Sequence, residues 1–366
     1  MPARIDPGRL ARLRAAAQLI HRPTSARDPA EIARSIAGAQ SQDVYAGPQT
    51  FRSRSRTLTA DDIRRARTEE RSLLRTWVMR TTIHLIPTDD SGWWLPLYEP
   101  GIERWSRRRL DQLGLPTAKQ DKALRVAGRV LADEGPLTRS EVRERIEAAG
   151  IELNTQTGMH IALTAVVSGI ACLGPDKGKS TCLIRREDWL EPAPRFDRGN
   201  ALAELGRRYI RAFAPSTERD FAYWSGLPLR DVRAALESIS EEIQEVRVGE
   251  ETMLAPRGGL PRLPGTGQVR MLGNFDTYLL GWKDREFSVS GEHATHVKEG
   301  GGGWIRPVIV EDGIVIGGWR SSRKGGRLEI ALNLPKNERK RLEKKIDAEL
   351  TDLARFEGID ATVVPA

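Results

Sequence analysis

The stretch Gly135-Pro136-Leu137-Thr138-Arg139-Ser140-Glu141 decides how this chain folds. Gly135-Pro136 breaks the helix before it, because proline has no N–H to continue the ladder. Thr138 with Glu141 three residues on is a capping-box pattern: each side chain satisfies a backbone N–H that the helix start leaves unpaired. The heptapeptide therefore reads as helix end, turn and helix start. Upstream, residues 117–133 predict a helix; downstream, 154–168 predict another. Residues 170–186 then read as two strands around the turn Gly174-Pro175-Asp176-Lys177-Gly178.

The same order returns further along. Residues 199–213 predict a helix, Ser216-Thr217-Glu218-Arg219 caps a second at 220–225, and 228–238 predict a third. Residues 246–254 fold around Gly249-Glu250-Glu251 as a hairpin. Helix, helix, helix, hairpin is the winged-helix order. The two runs share no obvious identity, so the repeat is one of structure. Before them lie helices at 8–20 and 60–67, one opened by Asp28-Pro29, and strand-like residues 74–86. After them comes a Pro- and Gly-rich linker, 256–267. Strands near 268–272, 305–310, 314–320 and 327–334, a charged helix at 336–356 and a strand at 361–364 complete the chain. The expected class is α+β, with tandem winged-helix (helix-turn-helix) subdomains and a C-terminal β-rich domain. The expected boundaries are 1–115, 116–197, 198–257 and 268–366.

A chain of 366 residues can hold two to four small domains with real cores. A net charge of +8 points to a polyanionic partner, although 47 Arg against 11 Lys is also what a GC-rich genome produces. Tandem winged helices with this charge favour nucleic acid over a protein-contact scaffold. Cys172 and Cys182 are the only cysteines, too few for a zinc knuckle or a disulfide framework, and a reducing cytoplasm, close to the nucleoid, is the simpler setting. No apolar run reaches the ~18 residues a membrane span needs, and Arg4, Arg9 and Arg12 precede no apolar leader segment. His293 and His296 lack a cysteine or carboxylate framework, so no metal is expected. No phosphate-binding glycine motif follows a strand, so no cofactor is expected. The expected state is a monomer without an obligate protein partner.

Three segments carry the chemistry. The first is Ala39-Gln40-Ser41-Gln42-Asp43. Two residues apart on a helix is about 200° of rotation, so the two amides would diverge; on an extended segment they share a face. Gly38 offers a break before them and Gly47-Pro48 ends the segment. The helix opened at Asp28 is therefore predicted to stop near Gly38, with the pair entering an extended stretch that points into a cleft. The other two segments are Trp77-Val78-Met79-Arg80-Thr81-Thr82-Ile83-His84 and Leu272-Gly273-Asn274-Phe275-Asp276-Thr277-Tyr278-Leu279-Leu280-Gly281-Trp282-Lys283-Asp284-Arg285. In this order and spacing the three resemble the winged-helix DNA glycosylases of the AlkZ/YcaQ type, over nearly the whole chain. That family removes alkylated purines from DNA, crosslinked ones included. The resemblance implies Gln40 and Gln42 as the catalytic pair. It implies double-stranded DNA with alkylated or crosslinked purines as partner, in repair or in self-resistance. The chain departs from the family at Ser41 (usually aliphatic), Thr81 (usually Gly), Thr277 (usually Pro) and Trp282 (usually Tyr).

The residues are suited to that chemistry. Neutral amides are poor acids and bases, which fits a substrate needing little acid catalysis. An N7-alkylguanine already carries positive charge and leaves without prior protonation, while the sugar becomes oxocarbenium-like. What remains is to hold a water below C1′ and surround the cation with dipoles; a Gln carbonyl accepts from water and its NH2 donates. Asp43 is read as a loop charge. No lysine precedes Lys119, so no lysine of the first unit can form a Schiff base, and hydrolysis without strand cleavage is expected.

For DNA contact the candidates are Arg80, His84, Lys283, Arg285, Arg320, Arg323, Lys324 and Arg327. Arg80 and His84 would share one face of a strand, Arg80 on a flanking phosphate and His84 on backbone or water, with a core histidine as the alternative. Trp93, Trp94 and Trp105 read as core. Phe275, Tyr278, Leu279 and Leu280 read as packing, and Asp276, Lys283, Asp284 and Arg285 as an internal ion-pair network or a DNA patch. Arg320, Arg323, Lys324 and Arg327 sit on a hairpin that can wedge into a groove. Residues 293–303 read as a mobile loop. The rival reading is a non-catalytic winged-helix DNA-binding regulator.

Overall fold

The computed structural model describes residues 2–21, 23–42, 46–178, 180–297 and 304–365; Asp43 and the glycines at 300–303 lie outside them. Local rules set the elements. Thr138 accepts from the Glu141 N–H at 3.3 Å and its own N–H donates to the Glu141 carboxylate at 2.7 Å, starting the helix Arg139–Ala148. The box recurs at Thr217 and Asp220 before the helix Glu218–Ser225. The expected order follows twice. Helices Thr117–Glu134, Arg139–Ala148 and Thr155–Val167 lead to the hairpin Ala171–Lys177/Ser180–Arg185. Helices Arg198–Phe213, Glu218–Ser225 and Leu229–Ser238 lead to the hairpin Ile243–Val248/Glu251–Pro256.

Contacts gather the chain into two compact units, a grouping that a serial division does not express. The first is discontinuous, Met1–Ile63 with Leu202–Ala366. It holds a three-stranded sheet in which Ala3–Ile5 runs parallel to Ile243–Val248, and a five-stranded sheet. The five-stranded sheet runs Val269–Leu272, Val308–Glu311, Ile314–Lys324, Arg327–Asn333, Ala361–Val364. Trp319, Ile330, Leu332 and Met271 on this sheet close over Leu342, Ile346 and Leu353 of the C-terminal helices. The predicted helix at 336–356 is divided into Lys336–Arg341 and Glu343–Glu357 at Leu342. An aromatic cluster of Tyr209, Phe213, Phe221, Trp224 and Trp282 forms a second core.

The second unit, Arg64–Ala201, builds a sheet in the order Ile83–Pro87, Leu73–Trp77, Ala171–Lys177, Ser180–Arg185, Leu137–Thr138. The hairpin at 73–87 thus extends the sheet of the next hairpin through the Arg75–Leu173 pair. The 22-residue helix Ser91–Gln112 was not expected, since Pro96 and Pro100 inside it disguise its period. Trp93 and Trp94 are core, but Trp105 is 49% exposed, which corrects its reading as core. Among the described residues no helix is long and apolar enough to cross a membrane.

Candidate active site

Asp28 caps the helix Pro29–Ser35 by accepting from the Ala30 N–H at 2.8 Å. The helix closes with Gly38 N–H on the Ala33 carbonyl (2.7 Å) and Ala37 N–H on the Arg34 carbonyl (3.4 Å), a Schellman pattern. Ala37 takes the left-handed position, φ 58°, and Gly38 follows at φ 85°. The chain leaves this turn as the two-residue strand Ala39–Gln40. The helix ends a little before the Gly38 break, and Gln40 is extended. The shared face does not persist. Gln40 is buried, 4% exposed, and Ser41 is buried with it, whereas the strand has ended by Gln42, which is exposed in a bend. The pair is thus one carboxamide inside and one at the surface. Gly47-Pro48 ends the extended stretch by falling in the first turn of the helix Ala46–Arg52, where proline costs no hydrogen bond.

Two buried arginines just downstream anchor this segment within its unit. Arg54 forms a two-pronged pair with Asp276, 2.8 Å to each oxygen, and neither side chain reaches solvent. Gln18 accepts from the same guanidinium at 3.1 Å, and Asp276 also accepts from the Tyr278 N–H at 2.9 Å. Arg52 reaches Glu349 (3.2 Å), Asp352 (3.0 Å) and the Met271 carbonyl. Sequence reasoning missed both arginines, and Arg14, which lies 4.3 Å from the Phe287 ring centre and 3.8 Å from Asp220. The available signal was charge without surface periodicity at Arg52 and Arg54.

The 275–285 segment is accordingly a docking piece. Tyr278 donates to the Gly313 carbonyl at 2.7 Å and Trp282 to the Phe213 carbonyl at 3.0 Å. Gly281 admits no side chain, since a Cβ there would lie 2.2 Å from the Phe213 ring. Phe275, Tyr278, Leu279 and Leu280 are buried as expected. Of the four charges, Asp276 alone is deeply buried; Lys283 and Asp284 are exposed. Arg285, half-buried, donates to the Leu279 carbonyl (2.5 Å) and the Tyr223 hydroxyl (3.2 Å). The expected network among these four is therefore replaced by the Asp276–Arg54 pair.

Trp77 to His84 is a hairpin in the second unit. Strands Leu73–Trp77 and Ile83–Pro87 pair, with Thr76 opposite His84. Arg80 is not on a strand, as the shared-face reading required, but in the connecting turn, where Arg80 (φ 53°) and Thr81 (φ 59°) are both left-handed. A β-branched residue there is strained. Arg80 is half-buried. His84 is 1% exposed and its Nδ1 lies 3.1 Å from the Thr82 carbonyl. Burial, helped by the Arg80 cation, pulls its pKa down to about 3, so the ring is neutral at neutral pH. His84 is therefore a core histidine, and its reading as a DNA contact is corrected to support from beneath the surface.

The basic hairpin is formed by Ile314–Lys324 and Arg327–Asn333 with Gly325-Gly326 at its tip, both at positive φ (57° and 75°), the two-residue turn that matches strand twist. Arg320, Lys324 and Arg327 are exposed, and Arg323 is engaged by Glu357. The glutamines, Lys283, Arg285 and this hairpin belong to the first unit; Arg80 and His84 belong to the second. His293 and His296 lie with ring centres 5.6 Å apart, but among the described residues no cluster of three metal-ligating side chains exists.

Comparison with known proteins bears on the whole chain. A family model described as DNA glycosylase AlkZ-like matches residues 33–356. An interstrand DNA cross-link repair glycosylase of Streptomyces sahachiroi is 30% identical over 311 residues, 79% of this chain and 80% of that protein. The solved structure of the Streptomyces sahachiroi DNA glycosylase AlkZ superposes with a TM-score of 0.76 at 22% identity, covering 99% of this chain and all of that one. That likeness establishes a shared fold.

Proposed function

The chain belongs to the DNA glycosylase AlkZ-like family, and we propose that it hydrolyses the N-glycosidic bond of cationic N7-alkylpurines in duplex DNA, crosslinked purines included, without cleaving the strand. The observation that carries this reading is the placement of Gln40 and Gln42. A tight turn delivers one carboxamide into the protein and leaves the other at the surface, where a nucleotide can meet it. The two helix–helix–helix–hairpin runs support winged-helix modules as the DNA-binding frame.

In this mechanism Gln42 contacts the sugar and the water, and Gln40 holds the segment and its dipole in place. As the C1′–N9 bond breaks, its electron pair passes to the purine and cancels the cation, so the base departs neutral. Water adds at C1′ and releases its proton to solvent. Oriented dipoles suffice because no proton need be delivered to the leaving group. A bulky or crosslinked base cannot be turned out of the helix, so the reaction proceeds in a shallow cleft reached from the groove. A cytoplasmic monomer acting at the nucleoid is the matching setting.

The test is incubation of the protein with a duplex bearing one N7-methylguanine. Alkali-labile abasic sites, with the strand intact before alkali, are expected. No base release, together with tight binding to one undamaged sequence, would establish the regulator instead.

A further inference from the structure

The first unit holds a pocket of about 590 Å³ beside the basic hairpin, apart from the glutamine segment. Its size suits a small organic ligand. Trp304, Arg306, Arg320, Asn274, Asn333 and His296 line it, and no Asp or Glu does. That absence sets it apart. The two larger grooves of the molecule are each lined by several glutamates, among them Glu99 and Glu187 in one and Glu218 and Glu237 in the other. An anion is repelled there and drawn here.

The pocket also has an aromatic wall. Trp304 is 43% exposed, in a chain whose Trp93, Trp94, Trp224, Trp282 and Trp319 are all buried. Its indole meets the Phe275 ring edge-on, centres 4.8 Å apart at 67°, which buttresses it without covering it. Phe275 itself sits at φ 54°, a left-handed residue fixed next to Asn274 and the buried Asp276. A large aromatic residue in that region is strained and persists only where its surroundings hold it. His296 stays uncharged near neutrality, its pKa lowered by burial and then by His293 and Arg306. An exposed indole, two guanidinium groups, two amides and no carboxylate match a flat heteroaromatic ring joined to a phosphate.

We propose that this pocket is a subsite for one unpaired nucleotide of the DNA strand, with the base stacked on Trp304 and its phosphate held by Arg306 and Arg320. It rests on the DNA-binding part of the proposed function and not on base release. Lying at the root of the hairpin Ile314–Lys324/Arg327–Asn333, it would receive a nucleotide that the hairpin displaces.

The test uses the full chain and an undamaged single-stranded decadeoxynucleotide labelled for anisotropy. Trp304→Leu is expected to weaken binding about tenfold, since a stacked base is worth roughly 1–3 kcal/mol. Arg320→Gln is expected to weaken it and to flatten the dependence on salt. The same strand carrying 5-iododeoxyuridine should, on irradiation of the wild-type protein, crosslink to the peptide containing Trp304. This second readout does not depend on a variant folding. Unchanged affinity in a folded Trp304→Leu, crosslinking confined to residues 323–327, or displacement by an equal concentration of free dAMP would each overturn the proposal. Because the strand holds no lesion, an absence of glycosylase activity leaves this result standing by itself.

Discussion

At the scale of single residues, the chain's buried charges explain why distant motifs occur together. Asp276 belongs to one motif and Arg54 follows another, and the two meet with no exposure to solvent. Removing one partner leaves the other charge buried and alone, which typically costs about 3–5 kcal/mol. Asp276→Asn is therefore expected to lower the urea midpoint by the equivalent of about 3 kcal/mol, and a midpoint equal to wild type would deny the pair its anchoring role. This pairing was not legible in the sequence. Nothing local distinguishes Arg54 from the exposed Arg56 two residues on, because what differs is a partner more than two hundred residues away. The glutamines were legible as far as their backbone goes. Helix caps and breaks are local rules, and they gave the helix end and the extended Gln40. The opposite burial of Gln40 and Gln42 was not legible, since it depends on where a two-residue strand stops.

At the scale of elements, capping boxes and glycine turns were read correctly, because each is satisfied within four residues. The helix Ser91–Gln112 was missed because its prolines resemble breaks while tertiary packing of Trp93, Trp94 and Leu110 holds it together. The hairpin Ile314–Lys324/Arg327–Asn333 offers a test at this scale. Lys324 and Arg327 flank its tip and are exposed, whereas Arg323 is already held by Glu357. If the tip binds phosphates, each contact contributes a slope of about 0.9 in the logarithm of affinity against that of salt. Replacing both Lys324 and Arg327 by Gln is expected to reduce the slope for duplex DNA by about 2. An unchanged slope would remove the tip from the interface.

At the scale of the whole molecule, each unit hides a neutral histidine. Burial, reinforced by the Arg80 cation, pulls His84 down to about 3 in the second unit; burial pulls His21 down to about 4 in the first, with the Asp312 carboxylate opposing it. The unfolded chain takes up protons as pH falls below about 6.5, while the folded chain does not until it nears those lower values. Stability is therefore independent of these groups above about pH 6.5 and declines from there toward pH 3. The urea midpoint should fall between about pH 7.5 and about pH 5, and His84→Asn should shrink that fall; an undiminished fall in the variant would contradict the assignment. The division into two units, one of them discontinuous, was the least legible feature, because it is set by contacts between the ends of the chain. The account as a whole stands on two uncharged carboxamides performing a hydrolysis. The most direct measurement is the single-turnover rate of N7-methylguanine release from duplex DNA by wild type and by the Gln40→Ala/Gln42→Ala variant, with folding checked by circular dichroism. The account predicts a loss of about a hundredfold or more, the scale of removing oriented dipoles from a developing charge. A folded double variant that releases the base at the wild-type rate would contradict it.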